Sequence, residues 1–144
     1  MNWIIFVQKF LAYGCIGLLI EVFFTGVYSV AIGNKKATCQ TYLYTLPIYA
    51  ITAFALEGVS EAVPWPFYVK AFLYVPIIYG AEALSGFCLK RIIGVIPWDY
   101  GRSKFTPFGL INLKYIGYWL ALAMVFDPLS QYLRRCLNFL AKME

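Results

Sequence analysis

From position 10 to position 32 the chain carries a single charged side chain, Glu21, and three more apolar stretches follow it along the 144 residues. A helix needs about 20 mostly apolar residues to cross the hydrocarbon core of a bilayer. Inside that core every backbone N–H and C=O must find its partner within the protein, and runs of this length satisfy them as α-helices. Hydrophobic residues make up 62% of the chain and charged residues 13%, against about 25% charged in a soluble domain. A soluble fold of this length has no interior large enough for so much apolar surface. The solvent is therefore lipid, and the expected fold is an all-α, polytopic membrane helix bundle. It has about four transmembrane helices plus a C-terminal amphipathic helix.

Punctuation along the chain divides the runs. The first span is expected over residues 10–32, ending at Gly33-Asn34-Lys35-Lys36. The second covers residues 42–63, with Pro47 near its start, where a missing N–H costs least. Pro64-Trp65-Pro66 makes a stiff turn into a third span, residues 67–93, which Pro76 is expected to kink. A polar loop from Gly94 leads to a fourth span over residues 107–126. Asp127 then caps a new helix with Pro128 at its first position. This divides the chain into a membrane domain, 1–126, and a tail, 127–144.

The tail places Leu129, Tyr132, Leu133, Cys136, Leu137 and Leu140 on one stripe, with Arg134, Arg135, Asn138 and Lys142 largely off it. That pattern suits a helix lying on the membrane surface, or one packed on the bundle or a partner. Lys35, Lys36, Lys90, Arg91, Arg102, Lys104 and Lys114 lie in the first and third connections. By the positive-inside rule both termini are expected outside. The first apolar segment lacks a basic flank and a small-residue cleavage site, so it reads as a retained helix. Trp3, Trp65 and Trp98 at span edges fit aromatic belts.

Much chemistry is excluded. The chain has no histidine, which removes the usual catalytic triads and the commonest metal ligand. Cys15, Cys39, Cys88 and Cys136 form no CxxC pair. No metal or cofactor is expected. No GxxxxGK[ST] loop is present, so in any ATP-driven system another chain must supply the ATPase. The net charge of +5 reflects topology and lipid contact rather than nucleic acid.

Two acids fall inside spans. An ionised carboxylate there costs about 2.5–3.5 kcal/mol on insertion scales, so Glu21 and Glu82 should face the bundle interior or a partner. Gly14, Gly17, Glu21, Thr25 and Tyr28 share one helical stripe; Tyr79, Glu82, Gly86 and Lys90 share another. Small residues permit close helix approach, and hydroxyls can satisfy a carboxylate. Glu21, Glu82, Tyr79, Thr25 and Tyr28 are thus a candidate polar site for a cation, a proton or a polar head group; equally, they can serve helix packing alone. Glu57 and Glu61, four apart at the end of the second span, read as exposed. The loop Trp98-Asp99-Tyr100-Gly101-Arg102, with Lys104, suits an anionic group or lipid phosphate, or a structured turn with an Asp99–Arg102 pair.

Four segments carry a family resemblance. They are Tyr13-Gly14-Cys15-Ile16-Gly17 through Glu21-Val22; Leu46-Pro47-Ile48-Tyr49; Glu82-Ala83-Leu84-Ser85-Gly86 leading to Trp98-Asp99-Tyr100; and Asn112-Leu113-Lys114-Tyr115 with Trp119. Together they resemble the ABC-transporter type IV, or CmpB-like, membrane family, which includes the vertebrate transmembrane protein 229 group. The sequence departs from that pattern at Leu18, at Ala50 and at Lys35-Lys36. The resemblance implies a multi-pass membrane protein. It places Glu21, Glu82, Trp98, Asp99, Tyr100 and Lys114 at family-like positions, and Lys114 joins Trp98, Asp99, Tyr100 and Arg102 as a candidate loop site.

Three functions follow as expectations. One is a permease-like transport component with Glu21 and Glu82 lining a polar path, where a homodimer would supply eight helices. Another is a structural or regulatory subunit of a larger membrane complex. The third is a protein or enzyme acting on lipid head groups, with Asp99 as candidate base.

Overall fold

The computed structural model describes residues 3–96 and 98–140. Among them the fold is all-helical. It has four helices, α1 (Trp3–Ala31), α2 (Thr45–Ala62), α3 (Phe67–Ile93) and α4 (Ile116–Leu140), and two 3₁₀ turns, Pro107–Gly109 and Leu113–Tyr115, precede α4. Two helices, α1 and α3, are long and apolar enough to cross a membrane. The 29 residues of α1 reach about 43 Å at about 1.5 Å per residue, against a hydrocarbon core of about 30 Å.

The helix ends follow local chemistry. α1 starts seven residues before the expected span, because Trp3, Phe6 and Phe10 continue the helical spacing as an aromatic ladder. It stops at Gly33, whose φ of 92° is left-handed and whose N–H returns to the Val30 carbonyl. α2 starts at Thr45, three residues after the expected edge. There the Thr45 N–H and hydroxyl both bond the Tyr42 carbonyl and close a turn first. α3 has the expected bounds, ending where Gly94 at φ 79° sends its N–H to Lys90, a left-handed helix stop.

The last part of the chain departs from expectation. The fourth helix does not begin at Pro107, since Phe108 and Gly109 both take positive φ, 57° and 71°, which an α-helix cannot contain. Asn112 then turns the chain, its side chain accepting the Lys114 N–H. The break expected at Asp127-Pro128 is absent, and α4 runs through it with Pro128 inside. Asp127 does not act as a helix cap; its carboxylate is drawn to Lys70 and Tyr74 instead. Lys142 of the expected tail lies outside the described residues.

The chain divides into two compact units: residues 3–53 with 137–140 form one, and the described residues of 54–136 form the other. In the first unit, α1 and the start of α2 cross at two glycines. A Cβ on Gly14 would stand 2.9 Å from the Leu46 side chain, and one on Gly17 2.4 Å from Tyr49. Small residues therefore set that approach. In the second unit α3 turns Ala71, Tyr74, Val75, Ile78 and Tyr79 inward, one stripe at helical spacing. Tyr74 meets the edge of Phe126 at 5.6 Å between ring centres. Phe72, Leu84, Phe87 and Ile92 are exposed on the same helix, an apolar exterior suited to lipid.

Candidate functional site

Glu21 stands on α1 with its carboxylate turned to the head of α2. Its Oε2 accepts a hydrogen bond from the Thr41 hydroxyl at 2.6 Å, and the Thr45 hydroxyl, bonded to the Tyr42 carbonyl, stands 3.1 Å away. Thr25, one turn on, donates to the Glu21 backbone carbonyl and accepts the Gln40 N–H at 3.0 Å. The expected stripe therefore gathers Glu21 and Thr25, and recruits Thr41 and Thr45 from beyond it. Tyr28 is not gathered; it is half exposed and stacks on Phe24.

Glu82 belongs to the other unit and has its own partner. The Tyr100 hydroxyl donates to Glu82 Oε1 at 2.7 Å. Tyr79 is buried, and its hydroxyl donates to the Asn112 carbonyl at 3.2 Å. Gly86, one turn beyond Glu82, leaves room for the loop: an added Cβ would meet Leu110 at 2.9 Å and the Trp98 indole nitrogen at 3.5 Å. The Glu82…Gly86…Trp98-Asp99-Tyr100 block is thus one structural piece. Glu82 anchors Tyr100, Gly86 seats Trp98, and Asp99 accepts the Gly101 N–H at 2.8 Å to shape the turn. The Asp99–Arg102 pair does not form. The Trp98 indole N–H is buried without a hydrogen-bond partner among the described residues.

The loop between α3 and α4 is folded rather than slack. Thr106 accepts the Ser103 N–H at 2.8 Å and donates to the Gly101 carbonyl at 2.9 Å. Tyr100 N–H reaches the Gly109 carbonyl, and Leu113 N–H reaches Phe105. Arg102, Lys104 and Lys114 stay exposed, and Lys114 lies over the Phe105 ring at 5.6 Å. Phe108 holds φ 57° and is 92% exposed. That left-handed conformation costs a bulky residue about 1–2 kcal/mol.

The densest polar cluster escaped the sequence reading. Lys70 is buried on α3 and sends its ammonium to Asp127 Oδ2 at 2.8 Å, to the Ser60 carbonyl at 3.0 Å and to the Ser60 hydroxyl at 3.3 Å. Those contacts use all three ammonium donors. The second Asp127 oxygen accepts the Tyr74 hydroxyl, and Asp127 is 1% exposed. One to two turns further along α4, Arg134 pairs with Glu57 at 3.3 Å and with Glu61. Glu57, expected to be exposed, is 5% exposed, because the guanidinium draws it in; Glu61 is exposed as expected. The cluster joins α2, α3 and α4. Its signal lay in three polar stripes at helical spacing: Glu57, Ser60, Glu61; Lys70, Tyr74; and Asp127, Ser130, Arg134. Each was visible alone, but nothing in the chain order paired them.

Among the described residues no group of three or more His, Cys, Asp and Glu is placed to hold a metal ion. No solved structure matches the chain. A family model described as "Putative ABC-transporter type IV" matches residues 8–143. That match covers most of α1 and all of α3, both glutamate-bearing stripes and the Lys70–Asp127 cluster, and the chain belongs to this family of transport-related membrane proteins.

Proposed function

We propose that the chain is a multi-pass component of an ATP-driven membrane transport system. In this reading α1 to α4 are four spans, both termini lie outside, and a partner subunit supplies the ATPase. The inward-turned ionisable groups form the polar route or the coupling site. The observation that supports it best is the Lys70–Asp127 pair, buried with Tyr74 and Ser60 between helices whose outer faces are apolar. Charge placed inside membrane helices is expensive, and it marks substrate, ion or coupling pathways. Glu21 and Glu82 add hydroxyl-lined carboxylates in the two units. A homodimer would bring eight helices to the complex.

The test is purification from native membranes in mild detergent, followed by native mass spectrometry and an ATPase assay. A co-purifying chain with a P-loop supports the reading, together with a fall in ATP turnover on Asp127→Asn in the intact complex. A chain recovered alone, or as a homo-oligomer without any such subunit, overturns it. A second reading, a structural or regulatory subunit, is favoured by the saturation of Lys70, since a fully bonded ammonium makes a good helix clamp. In that case the double variant Lys70→Met/Asp127→Asn assembles and leaves ATP turnover unchanged.

A further inference from the structure

We infer that the loop between α3 and α4 is a docking site for anionic phospholipid of the protein's own bilayer. Phe105 and Phe108 are its apolar anchors, and Arg102, Lys104 and Lys114 are its phosphate contacts.

The charge balance favours that occupant. From residue 83 to residue 126 the chain carries five basic side chains, Lys90, Arg91, Arg102, Lys104 and Lys114, and one acid, Asp99. The Asp99 carboxylate already accepts the Gly101 N–H. The five cations are all exposed. Clusters of 4–8 basic residues beside a membrane helix bind anionic lipid head groups.

Position favours it too. α3 is long and apolar enough to cross a membrane, and the loop starts at Gly94, directly after its last residue. The head-group layer lies at that level. Phe108, 92% exposed and held at φ 57°, and Phe105, 52% exposed under Lys114, project from a frame closed by Thr106 and Tyr100. Water gives a strained, outward aromatic no gain. A bilayer interface does, because an aromatic body buries at the acyl boundary while neighbouring cations stay with the phosphates. The inference does not depend on the transport reading, since any membrane subunit can bind lipid there.

The experiment places the full chain in nanodiscs of neutral phosphatidylcholine, and of the same lipid with increasing phosphatidylglycerol. Amide hydrogen exchange is read in peptides covering residues 101–114. Exchange is expected to slow several-fold as anionic lipid is added, and to recover in 0.5 M salt. Each cation replaced by Gln is expected to weaken the lipid response about fivefold. Phe108→Gly is the sharper variant, because glycine accepts the left-handed backbone and keeps the turn folded. It should lose the lipid response while the Tyr100 amide keeps its protection in neutral lipid. Equal exchange in neutral and anionic discs overturns the inference and leaves the face to a protein partner. A wild-type response in both Phe108→Gly and the triple Gln variant overturns it as well.

Discussion

Replacing Lys70 by Met removes one half of a pair whose side chains are 9% and 2% exposed. The separation is 2.8 Å. At an effective dielectric of about 20 the Coulomb attraction there is about 6 kcal/mol. Desolvation of both ions offsets much of it, so the net worth of the pair is small. The cost of breaking it is not. Lys70→Met leaves the Asp127 carboxylate buried with the Tyr74 hydroxyl, and strips the Ser60 carbonyl of a donor. Removing one partner of a buried pair costs about 3–5 kcal/mol. The expected loss is that large in reversible unfolding by dodecyl sulfate in mixed micelles, followed by far-ultraviolet circular dichroism. Asp127→Asn should cost a similar amount, because it strands the ammonium. The double variant removes both charges and keeps an acceptor for Tyr74. It should recover at least about 2 kcal/mol of the two single losses combined, a coupling of the size seen between touching groups. Single variants that each lose less than about 1 kcal/mol, with additive effects in the double, would refute the claim that these groups meet inside the fold.

Two further outcomes follow from contacts at single residues. Tyr100→Phe removes the donor to Glu82 Oε1 and should cost about 1.5–3 kcal/mol, the usual worth of a bond to a charged group. Glu82→Gln keeps an acceptor and should cost less, with the order of the two variants read by the same unfolding titration. Gly17→Ala places a methyl 2.4 Å from Tyr49 and should destabilise by about 1–3 kcal/mol. Gly80→Ala meets nothing within 4 Å in mid-helix and should stabilise by about 0.5–1 kcal/mol.

What the sequence made legible was what depends on one residue's own helix. The separate helical stripes of Glu21 and Glu82 could be read along the chain, and each carboxylate is half-buried against hydroxyls, those of Thr41 and Thr45 for one and of Tyr100 for the other. The bounds of α3 could be read from Pro66 before it and Gly94 after it. Gly14 and Gly17 announced a close crossing through their spacing. The carboxylates' partners were less legible, since Thr41 lies in the connection before α2 and Thr45 at that helix's first residue, where tertiary contact sets the path.

Asp127-Pro128 shows why the remainder was hidden. Read locally, an acid followed by proline is a helix start, and proline inside a helix costs about 3 kcal/mol. That logic would have held in water. Here the alternative is a buried Lys70 ammonium without a counter-charge, a penalty of similar or greater size. Continuing α4 across Pro128 sets Asp127 against Lys70 and, seven residues on, Arg134 against Glu57. Two ion pairs on one helix face outweigh one missing backbone bond. The two pairs and the unbroken helix therefore explain each other. If this balance decides the geometry, Pro128→Ala should stabilise α4 while leaving the Lys70–Asp127 coupling unchanged in the double-variant cycle. A coupling that disappeared with the proline would mean that Pro128 itself aims Asp127 at Lys70.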